Sequence, residues 1–587
     1  MAKKKNNNGN GKKLTTQQSV DSAVKSICDI MRRGNCAGAL QYVPELTWIL
    51  FLRILDEQEE QEKEHAKAIG IPFQPSLKAP YRWRDWAAPF DESVQIQVNG
   101  QRKPLGWKRK EQNEGPTNSF FSFVNHELLP YLKNLERQPD ANARQKVISE
   151  VLSGVEKVRI DTEKNFQDVL DKVHEISRES VDPTHVFPLS QVYEGLLLKM
   201  GEKGNDGGQF FTPRQVIKAM VQVIDPKLGE TVYDPGCGTG GFLAQSFEYM
   251  AGQVKSGKDL ELLKHNTFWG REKENLIYPI ALANLILHGI DKPNLWHGNT
   301  LTGQEIYGGL FENSPSLFDV ILTNPPFGGK EGKEAQTSFD YKTSATQVLF
   351  LQHVIRCLKA GGRCGIVLDE GVLFRTNEKA FVKTKHKLLA DCGLWCIVSL
   401  PAGVFTAAGA GVKTNLLFFT KGRPTEKIWY YDLTDIKVGK KTPLLLKHFE
   451  DFFRRLPNRE DSPLSWTVDI AEKQKAAAAK AQPFRDEAAN KKHQAAAWSR
   501  RLKELKKAGK KDKTAIEEAQ EKVKQFTKAA REAEKKAADI ENAVYDLKAV
   551  NPNKKPVVDT RTPEQLLDII EQKSKEISKW LSVLRSK

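Results

Sequence analysis

Apolar residues recur along the chain with two different spacings, and the change of spacing divides the chain into parts. Over residues 15–190 they recur every three or four positions, notably at 19–33 and 44–68, which predicts an N-terminal helical domain. The pattern gives way at 81–107 to a loop-like stretch rich in Trp and Pro, which ends in a basic-aromatic cluster at 107–110. Basic residues beside an indole suit contact with phosphate; a solvated loop is the alternative.

Residues 191–425 instead alternate short apolar runs with helical segments. Such alternation predicts right-handed crossovers and an α/β fold of Rossmann-like type, with a mainly parallel seven-stranded sheet and an antiparallel last strand. A helix over 349–358 is predicted to stop at the glycine pair 361–362 before the next strand. The candidate strands are 231–233, 267–269, 295–297, 320–323, 363–368, 395–400 and 414–419.

The C-terminal part has a different composition. After a connector at 426–468, residues 469–550 are dominated by Ala, Lys, Glu and Gln. That composition predicts two long exposed helices in an antiparallel hairpin that turns at 508–510.

The last segment, 560–587, carries its own helical signal. Residues 562–565 (TPEQ) form a capping box with proline at the first helical position. An apolar stripe behind it predicts pairing with a partner helix, as in a coiled coil; docking onto the α/β domain is the alternative. The stripe consists of Leu566, Ile570, Ile577, Trp580 and Leu584.

Composition narrows the class of partner. The 587 residues carry 90 Lys and Arg against 74 Asp and Glu, a formal net charge of +16, which favours a polyanion such as DNA. A lysine-rich solvated surface is the alternative. The basic start, 1–14, has no apolar core and is expected to be a disordered arm rather than a signal peptide. The longest apolar run, 48–52, is far too short to cross a membrane.

The cysteines and histidines show no spacing typical of ligands. The seven cysteines include no CxxC pair, so we expect buried thiols in a reducing compartment, with a packing role for Cys237. His288, His297 and His353 are isolated, and we expect no metal site.

A glycine turn between a strand and a helix is the first motif with chemical content. The strand 230–234 ends at Asp234 and is followed by residues 235–241 (PGCGTGG), an arrangement that opens a doubly wound sheet and places a ligand at its edge. The turn also fits a dinucleotide site, but Asp234 would be awkward beside a pyrophosphate and suits the ammonium of a methionine moiety. The next strand ends at Glu272, whose carboxylate can hold the ribose hydroxyls of either cofactor. The turn residues expected at the cofactor are Gly236, Gly238, Thr239, Gly240 and Gly241.

A second motif follows the apolar run 318–322. Asn324, Pro325, Pro326 and Phe327 form a rigid loop at a strand end, typical of transfer of a methyl group to a planar NH2. The Asn324 oxygen and the Pro325 carbonyl can each accept one N–H of that amine and turn its lone pair toward an electrophile. The prolines stiffen the loop, and Phe327 offers a face to a base lifted out of a duplex. A plain turn is the alternative, but with the glycine turn the motif selects S-adenosylmethionine over NAD.

With these motifs the chain resembles the modification subunit of type I restriction-modification systems, which is an N6-adenine DNA methyltransferase. The glycine turn, Glu272, the NPPF loop and later blocks at 368–374, 400–405 and 414–419 follow in the family's order, so the resemblance covers about 15–425. In the family a segment before the glycine turn wraps the methionine end of the cofactor; here it reads Gln209, Phe210, Phe211, Thr212, Pro213 and Arg214.

One position departs from the family's pattern. Where Asp is usual, this chain has Asn299, which can still accept a hydrogen bond from the cofactor's adenine amine but lacks the charge.

The resemblance implies a Rossmann-like S-adenosylmethionine-dependent methyltransferase domain at 191–425 that acts on a flipped adenine in double-stranded DNA. It also implies a cytoplasmic, DNA-associated protein of a bacterium or archaeon. The expected complex has two modification subunits on one specificity subunit, with a restriction nuclease-translocase subunit that joins for cleavage. The tail has few of the shaped loops that read base edges, so specificity is expected in the separate subunit.

Three rival functions stay open on sequence alone. A protein glutamine methyltransferase uses similar chemistry on a planar amide, but the helical N-terminal domain and basic arm favour DNA. Cytosine N4 methylation is the second rival, although Asn324 rather than Ser at the loop start favours adenine. The third is a non-catalytic DNA-binding scaffold, for which Asn299 is the one supporting feature.

Overall fold

The computed structural model describes residues 17–36, 39–175, 212–309, 314–405, 413–439, 442–507, 513–548, 550–553 and 562–585. The predicted arm at 1–14, the predicted hairpin turn at 508–510 and the candidate cofactor residues Gln209, Phe210 and Phe211 lie outside these ranges.

Helices and one β-hairpin form the N-terminal part. Its core is aromatic: Trp48, Trp83 and Trp86 are all fully buried, and the rings of Trp48 and Trp86 stack at 6.4 Å. Large rings bury much apolar surface, which lets short helices share one core. The elements are α1 (Gln17–Arg33), α2 (Ala39–Ala68), α3 (Trp83–Trp86), β1 (Asp91–Val98), β2 (Gln101–Leu105), α4 (Trp107–Asn113), α5 (Ser119–Phe123), α6 (Leu129–Lys133), α7 (Ala143–Leu152) and α8 (Glu163–His174).

The stretch 81–107, expected to be loop-like, is ordered as α3 and the β1–β2 hairpin. Asn99 and Gly100 take positive φ at its tip, as a two-residue hairpin turn requires. The basic-aromatic cluster that follows is not a phosphate site at Arg109. That side chain is buried and donates to Asp171 Oδ1 at 2.5 Å and to the Ala87 carbonyl at 3.1 Å. Arg109 therefore holds α4 to α8.

A mixed sheet forms the centre of the molecule. Its order is β12-β11-β9-β10-β8-β7-β3-β4-β5-β6. The strands are β3 (Val232–Asp234), β4 (Phe268–Glu272), β5 (Asn294–Asn299), β6 (Gln304–Gly309), β7 (Phe318–Thr323), β8 (Leu358–Asp369), β9 (Cys392–Ser399), β10 (Thr414–Lys421), β11 (Lys427–Asp432) and β12 (Ser465–Asp469). Around them lie α9 (Arg214–Ile224), α10 (Gly241–Ala251), α11 (Gly257–His265), α12 (Tyr278–Leu287), α13 (Lys333–Thr337), α14 (Thr346–Cys357), α15 (Glu370–Phe374), α16 (Lys379–Asp391) and α17 (Glu450–Arg455).

The expectation of seven strands was too low. Each candidate strand overlaps an observed one, and β10 is antiparallel to β8 and β9 as predicted. The described sheet has ten strands, because β6, β11 and β12 extend its edges. β11 and most of β12 lie in the stretch 426–468 expected to be a connector. β11 joins β9 in parallel through a buried run at 428–431. The helix α14 also ends earlier than predicted, at Cys357, and the strand begins before the glycine pair.

Two long helices, α18 (Ile470–Lys507) and α19 (Lys513–Asn542), follow the sheet. Ion pairs between Arg485 and Glu541 and between Lys492 and Glu534 show that the helices run antiparallel. Their seam is built from small side chains that let the backbones approach closely. The buried alanines are Ala481, Ala488, Ala519, Ala530, Ala533 and Ala537.

The last helix, α20 (Pro563–Arg585), begins with the predicted capping box. Thr562 N–H donates to Gln565 Oε1 at 3.0 Å, and Gln565 N–H donates to Thr562 Oγ1 at 3.3 Å. Three members of the stripe are exposed: Ile570 is 64%, Ile577 59% and Trp580 68% accessible. The alternative of docking onto the α/β domain is therefore not what the structure has.

The helix α12 lies between the N-terminal part and the sheet. α12 packs against α2 and α7. Just beyond its end, Asp291 accepts from Arg144 of α7 at 2.7 Å and from Lys264 of α11 at 3.0 Å. Arg144 also donates to Glu62 of α2 at 2.8 Å. This ion-pair bridge holds α2 and α7 on α12.

Candidate active site

A cavity of about 290 Å³ opens where β3, β4, β5 and β7 reach their carboxyl ends. Ligands bind at this edge in doubly wound sheets. The strand ends bring together Asp234, Glu272, Asn299 and Asn324, all of which line the cavity. Other candidates from the sequence that line it are Thr212, Arg214, Gly236, Gly238, Thr239, Gly241 and Pro326.

The glycine turn lies between β3 and α10. Gly238 and Gly240 take positive φ of 54° and 79°, a conformation that other residues rarely adopt. A Cβ on Gly240 would also meet the Leu285 side chain at 3.3 Å. The turn therefore needs glycine both for its backbone and for its contact with α12.

Asp234 and Glu272 are the two buried acids of the cavity. Asp234 is 1% exposed and accepts from Gly236 N–H at 3.1 Å. Glu272 accepts from Gly238 N–H at 2.9 Å, so it ties the glycine turn to the end of β4. Its other oxygen accepts from the N–H groups of Lys273 and Glu274, each at 2.9 Å.

Burial makes these carboxyl groups hard to ionise. Burial, together with the nearby carboxylate of Glu272, raises the pKa of Asp234 to about 7. Burial also raises the pKa of Glu272 to about 7, despite its three N–H donors. A cation in the cavity would favour the ionised forms of both. These two carboxyl groups thus fit a positively charged ligand and do not suit a pyrophosphate.

Asn299 lies at the end of β5. Its Oδ1 accepts from Leu301 N–H at 3.0 Å. One lone pair of this oxygen is therefore engaged by the backbone, and its second lone pair remains an acceptor.

The NPPF loop follows β7. Asn324 Nδ2 donates to Thr212 Oγ1 at 3.0 Å, while its Oδ1 is buried and has no hydrogen-bond partner in the described part of the chain. Pro325 is buried, and Phe327 is half-buried with its ring edge-on to Phe405 at 5.3 Å. A buried acceptor without a donor is costly, so an N–H group that reached this oxygen through the cavity would bind it favourably.

Sequence reasoning missed Asn284, which holds the glycine turn from the α12 side. Its Nδ2 donates to the Thr239 carbonyl at 2.8 Å, and the residue is 4% exposed. Together with the Glu272 bond to Gly238, it clamps the turn at two successive residues. The signal was present: Asn284 is the one strongly polar residue of α12 between Pro279 and Leu287.

Glu331 is a second missed residue. It lines the cavity, and its Oε1 accepts from Thr346 Oγ1 at 2.8 Å.

In the described ranges, no group of three or more His, Cys, Asp or Glu is placed to hold a metal ion. None of the helices described there has the length and apolar character to cross a bilayer.

This chain is similar to known proteins in both sequence and fold. A family model described as N-6 DNA Methylase matches residues 185–494, and one described as HsdM N-terminal domain matches residues 20–176. The chain is 35% identical to the methylase subunit of the Escherichia coli type I restriction enzyme EcoEI over 472 residues, 77% of this chain and 87% of that protein. It is 31% identical to the EcoKI methylase subunit of Escherichia coli K12, over 73% of this chain and 74% of that one.

Solved structures agree. A crystal structure of a modification subunit of a putative type I restriction enzyme from Vibrio vulnificus has a TM-score of 0.62 at 34% identity, and the match covers 78% of this chain and 93% of that one. A chain from a structure of a type I R-M system has a TM-score of 0.60 at 30% identity, with 97% and 98% covered. The second match therefore extends through the C-terminal helices.

Proposed function

We propose how the cavity works from the premise that this chain belongs to the N-6 DNA methylase family and is the modification subunit of a type I restriction-modification system, an adenine-specific DNA methyltransferase. The observation that carries the proposal is the buried, unpartnered Oδ1 of Asn324 in a cavity that also holds two buried acids.

The cofactor that these residues fit is S-adenosylmethionine, which supplies a methyl group already activated on a sulfonium centre. Asp234 takes its ammonium group, for which an ionised carboxylate is the natural partner. Glu272 has lone pairs left after its three backbone bonds, and these accept from the ribose. Asn299 accepts from the adenine amine through the remaining lone pair of Oδ1. Gln209–Arg214 would enclose the methionine end, as the resemblance implies.

Asn324 and Pro325 hold the target. An adenine lifted from the duplex, at a cost of a few kcal/mol in stacking and pairing, places its amine between the Asn324 oxygen and the Pro325 carbonyl. Phe327 stacks on the ring. Each N–H accepted by the loop draws the nitrogen lone pair out of conjugation and toward the methyl carbon.

The chemistry needs positioning more than acid-base help. When bound, S-adenosylmethionine would supply the methyl group, and Asn324 and Pro325 would hold the target nitrogen with its lone pair toward that group; the methylated nitrogen would then release one proton. It is acidic only at that stage, so the two carbonyl acceptors suffice to guide the proton out and no strong base is required. Effective concentration from holding both partners supplies most of the rate.

The exposed stripe of α20 has a partner role in this proposal. We assign it to a helix of a separate specificity subunit, because neighbouring apolar side chains that are exposed to water mark sites of protein–protein contact. Two modification subunits would share one specificity subunit on double-stranded DNA, and a restriction nuclease-translocase subunit would join for cleavage.

The test combines binding with mapping. Calorimetric titration of the full chain with S-adenosylmethionine should give measurable heat, and co-expression with its neighbouring gene products should leave N6-methyladenine at one recurring genomic sequence. A scaffold without a working cofactor site would give neither. Methyl groups on cytosine N4 or on protein glutamine would replace the adenine assignment.

A further inference from the structure

The two helices of the hairpin differ in charge although they resemble each other in composition. α18 carries eleven Lys and Arg against four Asp and Glu. α19 carries seven of each. The positive charge of the hairpin therefore belongs to one helix, and a general lysine-rich surface does not account for that asymmetry.

The charge of α18 is concentrated in its last two turns, which we call the basic end. Its cations are exposed and interrupted by one acid, Glu504. None of them has a carboxylate within 4.0 Å among the described residues, although Arg485 and Lys492 earlier in α18 pair with acids of α19. The basic end consists of Arg500, Arg501, Lys503, Lys506 and Lys507.

Three of these cations share one face. Arg500, Lys503 and Lys507 are spaced i, i+3 and i+7, so they lie within about 60° of each other and span about 10 Å of helix. Leu502 and Leu505 lie on the opposite side of the helix and are half-buried. The result is a row of long, solvated cations on the outside of the hairpin.

We propose that the basic end of α18 is a DNA contact separate from the active site, which binds backbone phosphates of the duplex away from the methylated base. The substrate is itself a polyanion with one charge about every 1.7 Å of helix axis. Cations without carboxylates nearby are the groups that phosphates attract, and such contacts position a duplex without reading it.

A protein partner fits this face less well. Protein interfaces rely on buried aromatic or apolar anchors at their centre, and in the described part of α18 no large apolar side chain is exposed. α20 shows the contrast, because it exposes Ile570, Ile577 and Trp580. The two exposed surfaces of the tail are thus assigned to different classes of partner.

The test uses the full chain in complex with its partner subunits. The triple variant R500Q/K503Q/K507Q is compared with K473Q/K475Q/K480Q, which removes the same charge from exposed positions at the other end of the same helix. Binding to a long duplex of arbitrary sequence is measured from about 50 to 200 mM salt, the range in which counterion release is evident.

We expect the slope of log affinity against log salt to fall by about 0.9 for each phosphate that the first variant no longer neutralises. Three such phosphates would shrink the change in affinity across that salt range by about fortyfold. The charge-keeping variant R500K/K503R/K507R should restore the wild-type slope, and the control triple should keep it.

Other outcomes overturn the proposal. Equal slopes for the first variant and the wild type, or equal reductions in the first variant and the control, would mean that the basic end does not bind phosphates specifically. Loss of a partner subunit with an unchanged slope would assign the surface to protein. Cofactor heat and the mapped methylation report the active site independently, so failure here leaves the proposed function standing.

Discussion

Two acids of the cavity at the sheet edge are buried, whereas most charged side chains of the C-terminal helices are exposed. In the cavity, Asp234 and Glu272 are buried, and N–H donors within 3.1 Å fix their orientation. In the tail, cations such as Lys503 and Lys507 are exposed. A buried group depends on its few fixed partners, whereas exposed charges act by number and are screened.

Single substitutions should therefore have larger effects in the cavity than in the hairpin. One changed atom in the cavity leaves a buried group without its partner, so its effect should be large. Removal of one charge from the hairpin should have little effect on stability or binding. The apolar stripe of α20 falls between them, since an anchor residue in an interface can contribute a large share of binding.

The strongest test of the comparison is Asn324→Ala. The variant loses the acceptor that we propose for the target amine, and we expect methyl transfer to fall by about 10³-fold, as for removal of one preorganised hydrogen-bonding group at a reacting centre. Affinity for S-adenosylmethionine should stay within about twofold, which calorimetry would show. Asn458→Ala, at an exposed position, is the control. Normal methylation by the Asn324 variant would refute its role.

The next effect concerns α20. Trp580→Ala should weaken binding of the specificity subunit by roughly thirtyfold, from the about 2 kcal/mol typical of an interface hot spot. Glu571→Ala, which is nine residues earlier and so on the opposite face, should bind normally. Co-purification and a titration with labelled specificity subunit would measure both. If both variants bind alike, the stripe is not the interface.

A third test returns to the cavity. Asn284→Asp removes the donor to the Thr239 carbonyl, and we expect about tenfold weaker cofactor binding at pH 8, from the 1–3 kcal/mol cost of an unsatisfied buried group. At low pH the new carboxyl is protonated and donates again, so the reduction should be smaller at pH 6. Asn284→Ala should show the reduction at both values. An Asp variant with no pH dependence would contradict the clamp.

The fourth prediction concerns the cofactor-free protein. Because burial raises the pKa of Asp234 and Glu272 to about 7, the folded state holds protons that the unfolded chain releases near pH 4. The stability contributed by these protons is lost as pH rises from about 4 through 7.

The midpoint of thermal unfolding should therefore fall over that pH range by about 3 °C more than in Asp234→Asn, because three pKa units correspond to about 4 kcal/mol and the unfolding entropy of 587 residues is about 1.2 kcal/mol/K. Asp340→Asn, at an exposed position, should follow the wild type. A wild-type curve parallel to that of Asp234→Asn would argue against ionisation in the cavity.

The smallest effect is expected from the hairpin. Arg485→Gln breaks the ion pair with Glu541. The side chain of Arg485 is 54% exposed and that of Glu541 is 29% exposed. We expect a change below about 1 kcal/mol in unfolding free energy and normal methylation. Chemical denaturation with Lys480→Gln as control would measure it. A larger destabilisation would show that charge pairing, rather than the alanine seam, holds the hairpin.

Much of the sheet could be predicted because its strands are read locally. Each predicted strand is a short apolar run that ends at a turn, and the acids and the Asn of the motifs directly follow such runs. Parallel strands carry those ends to one edge, so Asp234, Glu272 and Asn324 were expected together, and they line one cavity. Their roles toward cofactor and base stay predictions.

What could not be predicted depends on contacts between distant segments. β11 is recognisable as part of the sheet only through its pairing with β9. In the sequence Arg109 resembles an exposed cation, because its partner Asp171 is distant along the chain and lies beside it only in the fold. Asn284 stands out in the sequence as the polar residue of an apolar helix, but its partner, a backbone carbonyl of the glycine turn, is visible only in the fold.

The ion-pair bridge at Asp291 has a mechanical consequence. Arg144 grips Asp291 from the N-terminal side, and Asn284 on the adjoining α12 grips the cofactor turn. A rigid-body rotation of α2 and α7 must either carry α12 along or separate Arg144 from Asp291, which would keep Lys264 as its partner. Any movement of the N-terminal helices would then reach the glycine turn through α12 and Asn284.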